Sequence, residues 1–117
     1  MSEETEVIAF RMTLVDGQIE LYRKRHDEIW PELEAALRAA GVVEYRIFNQ
    51  PGSNDLFAVM HRKKAHSLNA LAASSLMRRW WDMMADVTVT GSDGVPIQGE
   101  LLQVYEMKQY VREGSQP

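Results

Sequence analysis

The spacing of apolar residues switches back and forth between two periods along this chain, and that switching constrains the fold more than any other feature. Over residues 7–14, Ile8, Phe10, Met12 and Leu14 fall on one side and Arg11 and Thr13 on the other, the two-residue repeat of a half-buried strand. Asp16-Gly17 ends it. From Gln18 the repeat lengthens: Ile19, Tyr22, His26, Ile29, Trp30, Leu33 and Leu37 recur at three- and four-residue spacing, which is one face of a helix. Pro31 lies inside that run, where a residue without an N–H interrupts the hydrogen-bond ladder. Two helical pieces split near Ile29 and Trp30 are therefore predicted, the second beginning with Pro31 in its first turn and stopping at Gly41.

Residues 43–49 return to the short period and place Val43, Tyr45 and Ile47 together, opposite Glu44, Arg46 and Phe48. The turn formers Pro51-Gly52-Ser53-Asn54-Asp55 separate this strand from another at residues 56–61, which predicts an antiparallel hairpin. A short helix at 67–73 and a longer one at 76–87 follow, the latter carrying Leu76, Trp80, Met83, Met84 and Val87. A loop spans 91–96, and a last strand is predicted at 101–107, with a polar tail over 108–117 that should fray. Strand, helices, strand, strand, helices, strand is the order of a ferredoxin-like α+β fold, a four-stranded antiparallel sheet with helices on one face. Phe48, Phe57 and Val59 oppose an already apolar set from the same strands, so the other face also needs cover. A second copy of the chain is the simplest cover, and a homodimer packed through its sheets is predicted.

Composition narrows the function. At 117 residues and 45% hydrophobic, the chain suits one compact domain, 1–117, with its core over about 7–107. Asp and Glu number 17 against 13 Lys and Arg, and the basic residues are scattered, the opposite of a nucleic-acid binder. No cysteine is present, which excludes disulfides, thiolate metal sites and a cysteine nucleophile. The acidic start is unlike a secretory signal, and no apolar stretch approaches the ~20 residues of a membrane span. A cytoplasmic protein without nucleic-acid or membrane partners is expected.

Few residues remain that could do chemistry. There is no glycine-rich phosphate loop, nucleophile elbow or zinc-binding helix motif, and His61 and His66 are poorly matched as a metal pair. Tyr22 and His26 are four apart and so neighbours on an apolar helix side. A histidine there is more often a hydrogen-bonded core residue, but its ordinary pKa near ~6.5 also makes it the side chain suited to moving protons at neutral pH. Trp80 and Trp81 leave a helix about 100° apart, so one can pack while the other lines a cavity, and aromatic faces stack on the C–H side of sugar rings. Tyr45 could add a hydroxyl to the same space.

The run Tyr22-Arg23-Lys24-Arg25-His26-Asp27-Glu28-Ile29-Trp30-Pro31-Glu32-Leu33 resembles the signature of the L-rhamnose mutarotases. Further matches follow in order: Gly41 then Tyr45, Asn54-Asp55-Leu56-Phe57, Arg79-Trp80-Trp81 with Met84-Ala85-Asp86, and the closing strand. The resemblance covers residues 7–107 and implies a dimeric α+β barrel without metal or organic cofactor. It implies that His26 is the proton donor and that Tyr22, Tyr45, Trp80 and Trp81 contact the sugar. The loop Thr90-Gly91-Ser92-Asp93-Gly94-Val95-Pro96 departs from the family's Asn-, Asp- and Pro-rich pattern, so L-fucose or another 6-deoxy sugar stays open beside L-rhamnose. A cofactor-independent monooxygenase of the same barrel and a non-catalytic sugar-binding module are the alternative functions.

Overall fold

A computed structural model describes residues 4–108. The element order is β1 (Thr5–Thr13), α1 (Ile19–Asp27), α2 (Pro31–Ala39), β2 (Val42–Asn49), β3 (Asp55–Lys63), α3 (Leu68–Ala72), α4 (Ser75–Met84) and β4 (Gly99–Leu101). The strands form one sheet in the order β2-β3-β1-β4 with every neighbouring pair antiparallel, the ferredoxin-like α+β arrangement.

Local chemistry explains the boundaries. Pro31 opens α2, where its missing N–H costs nothing, and Trp30 before it is held extended at φ −64° and ψ 128°. The predicted break between the two helices is therefore real, although the loop runs from Glu28 to Trp30. Gly41 follows α2 at φ +114°, a conformation that side chains resist, and a Cβ there would meet His66 Cβ at 3.1 Å. His66 has a structural task of its own, since its Nδ1 accepts the Leu68 N–H at 3.1 Å at the start of α3. Ser74 caps α4, its hydroxyl accepting the Met77 N–H at 3.2 Å.

The core lies between the sheet and the helices. Phe10, Met12 and Leu14 from β1 and its end, and Leu56, Ala58 and Met60 from β3, meet Tyr22, Leu33, Trp80 and Met84 from the helices. The period-two reading of β1 thus placed Phe10, Met12 and Leu14 on the buried side correctly.

Two expectations need correction. Val43 does not share a face with Tyr45 and Ile47: the register shifts between Val42 and Glu44, a bulge that leaves Val43 as the additional residue, 55% exposed, while Val42 is buried. The last strand is also misplaced: it spans Gly99–Leu101, so only Leu101 of the expected 101–107 belongs to it, and it pairs with β1 only through Ala9, Phe10 and Arg11. Beyond it Leu102, Val104, Tyr105 and Met107 lie exposed. Alternation records which sides a strand would present but not whether a neighbour is available to pair with it. The tail expected over 108–117 lies outside the described residues apart from Lys108.

The second face of the sheet is open in the single chain. Phe48 is 54% and Val59 37% exposed. Among the described residues no helix is long and apolar enough to cross a membrane.

Candidate active site

Tyr22, His26, Tyr45, Trp80 and Trp81 all line one cavity between the sheet and the helices, with a volume of about 1170 Å³. That exceeds the ~300–1,000 Å³ usual for ligand clefts, so a single pyranose would fill part of it. Tyr22 and His26 come from successive turns of α1, Trp80 and Trp81 from the middle of α4, and Tyr45 from β2 opposite Met60 on the helix-facing side of the sheet.

The imidazole is held by its surroundings. Its Nδ1 lies 3.1 Å from the Tyr22 carbonyl oxygen. A carbonyl only accepts, so Nδ1 carries the hydrogen and Nε2 is left to exchange protons. No described residue hydrogen-bonds Nε2. The Tyr22 ring stacks at 4.4 Å between centroids, tilted by 31°, and Trp80 meets the imidazole edge to face at 5.4 Å. Burial lowers the His26 pKa below its ordinary value, opposed by the hydrogen bond to Tyr22 and by the Asp27 carboxylate. The neutral ring consequently predominates at neutral pH, and its conjugate acid is a stronger donor than free imidazolium.

The two phenols are tuned the other way. Burial pushes the Tyr45 hydroxyl up to about 12, although 36% of the residue's surface is open, so the hydroxyl end is the enclosed part. Tyr22 is raised further by burial and then by the proximity of Tyr45, which puts the two hydroxyl groups in one electrostatic environment. Both remain protonated at neutral pH, able to donate hydrogen bonds but not to serve as a base.

The adjacent tryptophans divide as their angular separation requires. Trp80 is 7% exposed and packs between His26 and Trp30, whose ring meets it edge to face at 5.3 Å. Trp81 is half-buried, reaches the cavity, and has the Arg78 guanidinium 5.8 Å over its ring.

One residue of the site's framework was not singled out from sequence. Arg25, beside His26, points the other way: it donates to the Met83 carbonyl at 2.7 Å and forms a two-pronged pair with the Asp86 carboxylate. This clasp joins the helix of the imidazole to the end of the helix of the tryptophans. Its anion holds the Arg25 pKa up, and the guanidinium holds Asp86 below the usual carboxylate range. The sequence signal was weak, because Arg25 sits in a run of three cations that reads as solvated surface.

Known proteins resemble this chain over almost its whole length. Residues 7–107 match the L-rhamnose mutarotase family. A protein named L-rhamnose mutarotase from Burkholderia ambifaria is 49% identical over 100 residues, covering 86% of this chain and 96% of the relative. Another of that name, from Acidiphilium cryptum, is 46% identical over 102 residues, covering 87% and 98%. The crystal structure of an L-rhamnose mutarotase from Formosa agariphila superposes with a TM-score of 0.80 at 38% identity, over 88% of this chain and 99% of that one. A dimeric ferredoxin-like protein from an uncultured marine organism shares the fold alone, with a TM-score of 0.53 at 13% identity over 92% and 95% of the two chains. The match over residues 7–107, joined to close relatives of nearly equal length, places the chain in the L-rhamnose mutarotase family.

Proposed function

We propose that the protein is an isomerase that interconverts the α and β anomers of L-rhamnose, with His26 moving the proton. The observation that carries this reading is an imidazole whose Nδ1 is committed to Tyr22, in the wall of a cavity that the phenols and indoles also line. The sugar itself is inferred from the names of the relatives.

Changing anomer requires the hemiacetal to open and reclose on the other face. In opening, His26 Nε2–H gives its proton to the ring oxygen while water or another polar group takes the proton of the anomeric hydroxyl. The C–O bond breaks to leave an aldehyde and a free hydroxyl. Reclosure after rotation runs the same transfers backwards, so Nε2 recovers its proton. Tyr22 and Tyr45 donate hydrogen bonds to the sugar, and the indoles supply an apolar wall for its C–H surfaces. Saturation-transfer NMR on L-rhamnose, and on L-fucose for comparison, tests the activity directly. A monooxygenase would instead consume oxygen with an aromatic substrate, and a binding module would shift tryptophan fluorescence without exchanging anomers.

The lowered His26 pKa gives the reaction a pH dependence whose sign can be worked out. If the protonated ring is the donor, kcat/KM should rise as pH falls through a value below the ordinary 6.5 and then level off. On the alkaline side it should fall by about tenfold per pH unit while the donor form is depleted. A profile that climbs with pH through the same value would reverse the order of transfer, with neutral Nε2 first taking the anomeric proton.

The open sheet face supports a homodimer. Phe48 and Val59 are exposed there, and Leu101 at the edge, paired with Ala9, is 39% exposed. A second copy packed on this face would bury them and the apolar residues beyond β4. Val59→Asp places a charge in that contact. Light scattering should then report one chain per particle where the unchanged protein gives two, with circular dichroism unaltered. The cytoplasm is the expected compartment.

A further inference from the structure

The cavity wall holds one buried polar side chain that the mechanism above does not use. Thr88 is 3% exposed and lines the cavity. Its backbone explains where it points. The Thr88 N–H donates to the Met84 carbonyl at 3.0 Å, continuing the last turn of α4, and Thr88 pairs with Leu14 across an isolated antiparallel bridge. Directly paired residues project to the same side of such a bridge. Leu14 is 2% exposed and belongs to the core under the helices, so Thr88 is turned into the same layer, where the cavity lies.

Among the described residues nothing hydrogen-bonds the Thr88 hydroxyl. Buried hydroxyls are almost always paired, because an unpaired one loses its water without compensation. Valine has the same branched shape and would fill the position without that cost. A hydroxyl kept here therefore finds its partner in what enters the cavity: water when the site is free, and a polar group of the ligand when it is occupied. A neutral group that both donates and accepts can pair with another hydroxyl in either sense, and a sugar ring carries several.

We propose that Thr88 is a substrate-binding residue whose hydroxyl pairs with one ring hydroxyl of the sugar, an assignment that rests on the mutarotase reading and adds a specificity contact to it. It enters the cavity from the connection between α4 and β4, an element separate from those that hold His26, Tyr22 and Tyr45. Thr88 thus selects among deoxysugars by which hydroxyl they carry at its position.

The test compares the unchanged protein with Thr88→Val and Thr88→Ser. Affinity is read from tryptophan fluorescence and exchange from saturation-transfer NMR, with L-rhamnose and with derivatives each lacking one ring hydroxyl. Thr88→Val should weaken L-rhamnose binding about 3- to 10-fold, with little change in turnover at saturation, and Thr88→Ser should restore most of it. One derivative should bind the unchanged protein and Thr88→Val alike, since each has lost the same contact. Free of sugar, Thr88→Val should melt at or above the temperature of the unchanged protein. Equal affinity of Thr88→Val for L-rhamnose, or the same loss for every derivative in both proteins, overturns the assignment. A lower melting temperature overturns it too, because the hydroxyl would then be satisfied within the protein. Absence of anomer exchange in the unchanged protein would instead remove the mutarotase reading, and the binding series would still decide whether Thr88 meets a sugar hydroxyl.

Discussion

His26→Ala is expected to fold, to keep measurable affinity for L-rhamnose, and to lose about 10²- to 10⁴-fold of the acceleration of anomer exchange. The fold should survive because His26 is only half-buried and its one hydrogen bond goes to the carbonyl of its own helix, four residues earlier. Binding should persist because the phenols and indoles that line the cavity remain. The rate loss is bounded by what general acid-base help supplies, and that is enough for a reaction that already proceeds in water. His26→Gln refines the result, since an amide can hydrogen-bond a sugar but cannot carry a proton, and it should be as inactive as alanine. Saturation-transfer NMR at matched enzyme concentration makes the measurement. Exchange at the unaltered rate would show that the imidazole is a packing residue.

The second large effect separates the adjacent tryptophans. Trp80→Ala removes a ring packed between His26 and Trp30 in the core, and should cost about 3–5 kcal/mol in urea unfolding. Trp81 is partly open and contacts Arg78 from its own helix, so Trp81→Ala should cost under about 1 kcal/mol of stability. The order should reverse for the sugar. Trp81→Ala should weaken L-rhamnose binding by about 2- to 10-fold if its face is the one that stacks on the ring. A Trp81→Ala protein that binds as before would assign the stacking to Trp80 or to neither.

Much of this architecture was legible because its causes are local. Pro31 interrupts a helical face wherever it stands, and the two-residue repeat through Phe10, Met12 and Leu14 can bury only one side. The four-residue spacing of Tyr22 and His26 put them on one side of α1, and the structure adds that Tyr45 and both tryptophans border the same cavity. What escaped depends on partners distant in sequence. The bulge at Val43 arises from the pairing of Val42 with Arg62 and Glu44 with His61, which no run of residues announces. β4 ends at Leu101 although β1 continues past Ala9 to Thr5 and the alternation of residues also runs on, so neither the pattern nor an available strand edge is enough to extend the pairing. Arg25 and Asp86 are 61 positions apart, and Thr88 became notable only when its burial and its bridge to Leu14 were visible.

Helix α1 spans nine residues, too few to hold its shape in water. Its coil is imposed from outside, and Gln18 before it offers no side-chain cap. The direction in which the free imidazole nitrogen of His26 faces is therefore a property of the assembled molecule, and the Arg25 guanidinium that grips Met83 and Asp86 is one of the ties that hold α1 in place. Loss of the Asp86 carboxylate, just past the end of α4, would loosen that tie without touching imidazole or any wall of the chamber.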